Sequence, residues 1–326
     1  MRIGVPKETA AGEHRVALVP EVVSKLKAMG LDVVVENGAG ADALLSDAAF
    51  AEAGAQTTAD TAEVWRSDIV LTIAPPDPQA IRGLGGGSIL IGFLAPLTSP
   101  QTTRALADAK ATAFAMEAIP RISRAQAMDA LSSQSNVAGY RAALLGAEEM
   151  GRFYPMLMTA AGTIPPAKVL VLGVGVAGLQ ALATAKRLGA RTTGYDVRPE
   201  VAEQVHSLGA QWLDLGLEAS GEVHDHRPGL HAFDGLRGDE PRRRTPGQTV
   251  VRHDVKIVSP LNLPASMAEH SSQLFARNVL ALLDLFVGED GTLQLDFDDE
   301  VVSGACVVRD GEIVNPGAKA AVEAAQ

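Results

Sequence analysis

A glycine-rich turn after a short apolar strand constrains this chain of 326 residues more than any other feature. Residues 168–172 (KVLVL) have the composition of a buried parallel strand, and Gly173, Gly175 and Gly178 follow it in G-x-G-x-x-G spacing. The first glycine permits a tight turn, the second lets backbone approach a pyrophosphate, and the third lets helix and strand pack closely. The spacing therefore predicts a nucleotide-binding turn.

The residues after the turn complete a βαβ unit. A helical run over 177–188 is followed by a strand over 191–195, which ends at Asp196. The N-terminus of the helix offers free N–H groups and a positive dipole end to the pyrophosphate. Asp196 is placed to accept a hydrogen bond from a ribose 2′-hydroxyl and to repel a 2′-phosphate, whereas Arg198 would suit that phosphate and leaves NADP open as an alternative. The predicted cofactor is NAD(H), bound by Gly173, Gly175, Val176, Gly178, Asp196 and Arg198.

Length and charge limit the class of protein. A chain of this length exceeds what one core usually supports, so two domains are expected. The net charge of −11 argues against a nucleic-acid binder. The single cysteine, Cys306, excludes an intramolecular disulfide and is interpreted as a small buried residue rather than a reactive thiol. No signal peptide or 18-residue apolar run is found, which favours a cytoplasmic protein.

The first 115 residues read as an α/β domain of their own. Strands are predicted over 1–5, 32–35, 68–73, 89–94 and 112–116, with helical segments between them. This alternation indicates a parallel sheet that is covered on both faces.

A polar segment over 119–135 follows (IPRISRAQAMDALSSQS), and it reads either as a solvated linker or as part of a site between domains. Long helices are predicted over 136–153 and 264–286, a strand over 255–258, and a hairpin whose first strand is 301–308. The expected architecture is two Rossmann-like parallel-sheet domains linked by the long helices. The domains are predicted as 1–134 plus 287–326, and as 135–286 for the nucleotide domain.

Several segments together resemble one family. They include MRIGVPKE, GFLAP, PRISRAQAMDALSSQSNVAGYRA, VLGVGVAGLQA, YDVR and LNLPASMAEHSSQLFARN. The chain is similar to the NAD(H)-binding domain of proton-translocating NAD(P) transhydrogenase, which is the α subunit, or its first portion where the gene is split. The resemblance implies reversible hydride transfer between NAD(H) and NADP(H) bound on a partner β subunit. It also implies a membrane-spanning partner component, a homodimer, and a cytoplasmic position at the membrane.

The related alanine dehydrogenases are the main alternative. That family has a lysine in the strand that matches DIVLTIAPP and a histidine after the next strand, and this chain has no lysine there and Ala95 at the second position. Chemistry on a substrate carbon needs a positioned acid or base, whereas direct hydride exchange between two nicotinamide rings does not. The sequence therefore favours transhydrogenation over amino-acid oxidation.

The polar segment supplies the site residues that the resemblance implies. Its matching positions, which would orient the nicotinamide, are Arg121, Gln126, Asp129, Ser132 and Tyr140. Arg121 is expected to pair with Asp129, Gln126 to reach towards the second nucleotide, and Ser132 to bond near the carboxamide. Their shared task is to place the two reacting carbons within roughly 3–3.5 Å of each other.

Residues 220–247 depart from the family. They lack helical or strand periodicity and are rich in His, Arg, Pro and Gly. Three interpretations remain: metal ligation by His224, His226 and His231, a phosphate patch at 242–244, and a deletion with a locally shifted reading frame. We favour the deletion, which predicts a nucleotide sheet that lacks part of its second half. In that case a catalytically impaired NAD-binding remnant is a further alternative, and no metal is predicted.

Overall fold

The computed structural model describes residues 1–215, 246–288 and 291–325. They form two compact units, Met1–Ser133 with Met267–Gln326, and Gln134–Ser266. The units differ from the predicted domains at one long helix. We expected residues 267–286 in the nucleotide domain, whereas the structure packs them in the first unit. The irregular stretch 220–247 lies almost wholly outside the described residues.

The described residues contain fifteen strands and eleven α-helices, which are numbered here in chain order. The strands are β1 (Arg2–Val5), β2 (Asp32–Glu36), β3 (Gln56–Thr58), β4 (Ile69–Leu71), β5 (Ile89–Gly92), β6 (Thr112–Ala115), β7 (Leu157–Thr159), β8 (Gly162–Ile164), β9 (Lys168–Leu172), β10 (Arg191–Tyr195), β11 (Gln211–Trp212), β12 (Thr249–Arg252), β13 (Val255–Val258), β14 (Cys306–Arg309) and β15 (Glu312–Ile313). The helices are α1 (Pro20–Ala28), α2 (Asp47–Glu52), α3 (Thr61–Trp65), α4 (Pro78–Ile81), α5 (Pro100–Asp108), α6 (Ala130–Glu149), α7 (Val176–Arg187), α8 (Ala202–Ser207), α9 (Ala268–Phe286), α10 (Glu300–Ala305) and α11 (Pro316–Ala324).

The first unit is built on an eight-stranded sheet with the order β15-β14-β6-β5-β4-β1-β2-β3. The strands β1 to β6 pair in parallel, and β14 joins β6 antiparallel. The predicted α/β class with a parallel sheet is therefore confirmed. The parallel strands share one carboxyl edge, at which the loops after β4, β5 and β6 emerge.

Helix α9 belongs to the first unit because its apolar face fills the core there. Phe275, Val279, Leu282 and Phe286 are fully buried and recur at helical spacing. The rings of Phe286 and Phe114 of β6 have centroids 4.5 Å apart. This packing continues the aliphatic core of the sheet, so the helix would lose a large buried area in any other position.

The second unit contains a three-stranded parallel sheet, with the order β11-β10-β9. Among the described residues β9 is therefore an edge strand, and its side chains Lys168, Leu170 and Leu172 are exposed on one face. The predicted strand at Val255–Val258 is present as β13, but it pairs antiparallel with β12 in a separate hairpin. A second separate hairpin is formed by β7 and β8.

Two other predictions from local pattern differ from the structure. Residues 301–305 were expected to begin a strand, but they form helix α10, because Asp299 accepts hydrogen bonds from the amides of Val301 and Val302. The long helix predicted over 136–153 begins earlier and ends earlier, at Ala130–Glu149. Within the described part of the chain, no helix has the length and apolarity needed to cross a membrane.

Candidate functional site

The glycine turn lies between β9 and α7 in the second unit and has an open approach. Gly173 adopts a φ of +85°, which glycine favours, and its amide donates to the Tyr195 carbonyl oxygen at 2.8 Å. A Cβ built on Gly173 or Gly175 meets no atom within 4 Å, so free space lies in front of the turn. The first amides of α7, starting at Val176, have no acceptor inside the helix and supply donors to that space.

Gly178 has a different role in the same turn. A Cβ at this position would collide with the Gly173 carbonyl oxygen and would lie 3.4 Å from Val171 Cγ1. The helix thus rests directly on the strand and the turn. The geometry agrees with the roles that the spacing predicts for the three glycines, and the turn can accommodate a pyrophosphate.

Asp196 is buried, with 8% of its surface exposed, and its carboxylate is fully engaged. Oδ2 accepts from the Val174 amide at 2.9 Å and from the Arg198 guanidinium at 3.2 Å, while Oδ1 accepts from Arg198 Nε and from the Arg198 amide, both at 3.0 Å. Burial alone would raise the pKa of Asp196, but the hydrogen bonds from Arg198 and Val174 outweigh it and lower the pKa. The predicted ribose acceptor therefore already binds Arg198 in this structure.

Asp129 does not form the expected pair with Arg121. Both Asp129 oxygens are used at the start of α6, where they accept from the Ser132 amide at 2.8 Å and from Ser132 Oγ at 2.6 Å. Arg121 is exposed, and within the described residues no hydrogen bond or ion pair joins it to Asp129. In this structure Asp129 instead meets the local demand of the helix N-terminus for an acceptor, and the joint role expected of Arg121 and Asp129 stays a prediction.

Gln126 lies on a short 3₁₀ helix, Ser123–Met128, and its side chain is exposed. At the beginning of this helix Arg124 forms a two-pronged ion pair with Asp299, with distances of 2.8 and 2.9 Å. The hydrogen bonds from Arg124 lower the pKa of Asp299 to about 2. No local sequence pattern predicts this pair, since 175 positions separate its members.

Tyr140 lies on the part of α6 that belongs to the second unit, and 38% of its surface is exposed. Its neighbour Gly139 faces the first turn of α7, where an added Cβ would collide with the Ala177 carbonyl oxygen. Because Gly139 packs against the first turn of α7, the adjacent Tyr140 lies near the glycine turn within the second unit. Arg121, Gln126, Asp129 and Ser132 belong to the first unit, and of these four Asp129 and Ser132 are in contact.

Two carboxylic acids at the carboxyl edge of the large sheet were not predicted as functional. Glu8 accepts from the amides of Ile73 and Ala74 after β4, and Glu117 accepts from the Ala95 amide after β5. Burial raises the pKa of each to about 7, against the lowering effect of these amides. Among the described residues no group of three or more His, Cys, Asp or Glu side chains is arranged to hold a metal ion.

The fold and the glycine turn define a nucleotide-binding protein of the dehydrogenase type, and comparison with known proteins gives its family. Residues 4–138 match the model of the alanine dehydrogenase/PNT N-terminal domain, and residues 142–230 and 239–316 match that of the C-terminal domain. The chain belongs to this alanine dehydrogenase/PNT family.

Within the family the chain is similar to transhydrogenase subunits. It is 41% identical over 377 residues to the first portion of NAD(P) transhydrogenase subunit alpha of Rhodospirillum rubrum, covering 97% of this chain and 98% of the relative. A transhydrogenase structure from Sinorhizobium meliloti matches with a TM-score of 0.84 and 34% identity, covering 96% of this chain and 100% of the other. An L-alanine dehydrogenase structure, with a TM-score of 0.78, 20% identity and full coverage of both chains, shares the fold.

Proposed function

We propose that this chain is the NAD(H)-binding component of a proton-translocating NAD(P) transhydrogenase. One observation carries the proposal: two features occur in the same chain. The first is an open glycine turn beside the buried Asp196. The second is the hydrogen-bonded pair Asp129–Ser132, in the segment that resembles transhydrogenase. The similarity to the Rhodospirillum rubrum subunit supports it. The reaction would be reversible hydride transfer between NAD(H) on this chain and NADP(H) on a partner subunit.

The second unit would hold NAD(H) at the glycine turn. The pyrophosphate would face Gly173, Gly175 and the first amides of α7, with Gly178 keeping the helix close to the strand. Asp196 would accept from the adenosine ribose when Arg198 releases part of the carboxylate. The Arg198 side chain is half-exposed beside the buried Asp196 carboxylate.

The polar segment of the first unit would orient the reacting ring. Asp129 and Ser132 form a preorganised pair of polar groups, and Gln126 and Arg121 are exposed and available to a second nucleotide or a partner. When bound, NAD(H) itself supplies the hydride. The residues of this chain need only to position the ring and exclude water, which agrees with a segment that contains no histidine or lysine.

The partners and the location belong to the same proposal. The chain would assemble as a homodimer with an NADP(H)-binding β subunit and a membrane-spanning component, on the cytoplasmic side of the membrane. Proton movement would be coupled through those partners.

A deletion in the nucleotide domain is a further element of the proposal. The alignment with the Rhodospirillum rubrum subunit extends over 377 residues, which exceeds the 326 residues of this chain, and the C-terminal family match is interrupted between 230 and 239. The alignment length supports missing residues, and the interrupted family match agrees with a departure from the family near that point. Among the described residues β9 has no partner on its outer edge, which agrees with the loss of strands that would lie there.

Hydride exchange in a mixture with a purified NADP(H)-binding domain tests the function. We expect the Asp129→Asn variant to slow exchange at least about tenfold while NADH binding changes by less than about threefold, because Asp129 orients and does not bind the cofactor strongly. The substituted amide keeps an acceptor for one Ser132 donor and loses the charge. Absence of exchange in the unaltered chain, next to activity of a longer relative, would refute the catalytic proposal.

A further inference from the structure

Asn278 of α9 is a buried polar residue that the sequence analysis did not single out. Only 7% of its surface is exposed. Its Nδ2 donates to the Ala127 carbonyl oxygen at 2.7 Å, and its Oδ1 accepts from Ser133 Oγ at 2.7 Å. One side-chain amide thus binds the polar segment at two points, six residues apart along the chain.

The segment between these two points contains Asp129 and Ser132. Asp129 immediately precedes α6 and uses both oxygens to accept from Ser132. The amide of Ser133 donates to the Asp129 carbonyl oxygen at 3.2 Å, so the loop and the first turn of α6 form one hydrogen-bonded unit. Asn278 connects this unit to α9, whose neighbouring side chains Phe275 and Leu282 are buried in the core of the large sheet.

The segment is also held at its other end. Arg124 binds Asp299 through two hydrogen bonds, and Asp299 in turn accepts from the Val301 amide at 2.7 Å at the start of α10. Gln126 and its exposed side chain lie between this ion pair and the Ala127 contact. Because Arg124 is tied to the start of α10 and Ala127 to α9, the backbone of Gln126 is held between two attachments.

We infer that Asn278 is a positioning residue for hydride transfer, one that fixes the geometry of Gln126, Asp129 and Ser132 without contacting a nucleotide. The inference rests on the proposed function. An ordinary core position on α9 would carry an apolar side chain, as Phe275, Val279 and Leu282 do on the same helix. A buried amide whose donor and acceptor are both satisfied by the polar segment is suited to holding that segment in one arrangement.

The test combines backbone hydrogen–deuterium exchange of the full chain with hydride exchange against a purified NADP(H)-binding domain. Two variants address the bridge. Asn278→Ala removes both contacts, whereas Asn278→Asp keeps the size and the acceptor for Ser133 but loses the donor to Ala127. Arg277→Ala is the matched control, because Arg277 is the preceding residue of α9, is exposed, and pairs with Glu21 rather than with the polar segment.

We expect residues 122–133 to exchange at least about tenfold faster in Asn278→Ala, with α9 still protected and with Arg277→Ala unchanged. Turnover should fall at least about tenfold in both Asn278 variants, while the dissociation constant for NADH stays within about threefold of the original. Unaltered exchange of residues 122–133, or parallel losses of turnover and NADH binding, would overturn the inference. If the unaltered chain transfers no hydride, the proposed function fails, and the deuterium exchange still decides whether Asn278 holds the segment.

Discussion

Two of the three glycines of the turn have different roles. Gly175 lies at a ligand-binding position, and Gly178 lies at a packing position. Gly175 has an ordinary φ of −69° and open space where its Cβ would lie, whereas a Cβ on Gly178 would collide with the Gly173 carbonyl oxygen. A side chain at the first position therefore meets the ligand, and a side chain at the second position meets the protein.

This difference predicts that a substitution at Gly175 weakens NADH binding and that a substitution at Gly178 lowers stability. Gly175→Val should weaken NADH binding at least about 100-fold, equivalent to about 2.7 kcal/mol, with little change in thermal stability. Gly178→Ala should lower the free energy of unfolding by about 2 kcal/mol or more, because α7 must move away from β9. NADH fluorescence titration and thermal unfolding of each variant distinguish them. Normal NADH binding by Gly175→Val would show that the site lies elsewhere.

Arg198 tests the choice between NAD(H) and NADP(H). Its guanidinium is bound by Asp196, which leaves it unavailable to a 2′-phosphate. In Asp196→Asn the charge on this partner is gone, so we expect the ratio of NADH to NADPH affinity to fall at least about tenfold, equivalent to about 1.4 kcal/mol. The affinities of both cofactors are measured by fluorescence, with Asp196→Asn/Arg198→Ala as the control that removes the gain for NADPH. An unchanged ratio would contradict this account of specificity.

In the unit of the large sheet, Glu117 makes the stability of the fold depend on pH. This residue lies in the segment after β6. This residue accepts from the Ala95 amide after β5, and its other oxygen, Oε2, is shielded and has no hydrogen-bond partner within the described residues. Burial, opposed by amide hydrogen bonds, raises its pKa from 4.5 to about 7. Folded protein therefore retains a proton that the unfolded chain has already lost, and the associated stability is complete below about pH 4.5 and lost as the pH rises through about 7.

The Glu117→Gln variant should remove this pH dependence. The substituted side chain keeps an acceptor for the Ala95 amide and carries no charge at any pH. Relative to the original chain, its free energy of unfolding should rise on going from pH 5 to pH 8 by an amount on the order of 3 kcal/mol. Urea unfolding at the two pH values measures this, with Glu312→Gln as an exposed control. A constant difference between variant and original would mean that Glu117 has the same pKa in the folded and unfolded chain.

Prediction from sequence succeeded where an element has a strong local signal. The strands of the first domain and the βαβ unit carry apolar runs and glycine punctuation, and the structure contains them close to the expected bounds. Residues 301–305 were mistaken for a strand because Val301 and Val302 favour strands. The hydrogen bonds that Asp299 accepts from the first amides of α10 stabilise a helix there instead. The strand β3 consists of the polar residues QTT and therefore leaves no apolar pattern.

The candidate site was harder to predict from the sequence because its side-chain partners depend on tertiary contacts. The segment 119–135 was singled out, but Asn278 and Asp299 contact it from positions more than 140 residues away along the chain. Periodicity cannot detect such partners. It also placed α9 with the wrong neighbours, since an apolar helical face does not specify which core it covers.

Within the described residues, the nucleotide sheet has no strand on the outer side of β9. Parallel sheets are normally covered on both faces and continue on both sides of the first strand. In this chain Leu170 and Leu172 of β9 are 52% and 37% exposed, and no described strand pairs with the outer edge of β9. Exposed apolar side chains on an open edge favour association and reduce stability.

A chimera tests whether missing residues cause this exposure. Replacing residues 216–245 with the corresponding, longer segment of the Rhodospirillum rubrum subunit should supply strands beyond β9, together with helices that cover the sheet face on which Leu170 and Leu172 lie. The chimera should unfold at a higher temperature, bind less of a hydrophobic dye, and bind NADH at least about tenfold more tightly, because the nucleotide then faces a complete sheet. Replacing the same residues with a flexible Gly/Ser segment of equal length is the control, since it adds chain without adding strands. Equal dye binding and equal NADH affinity in the chimera and the control would show that the short sheet is sufficient by itself, and the proposal of a deletion that impairs the nucleotide domain would then be wrong.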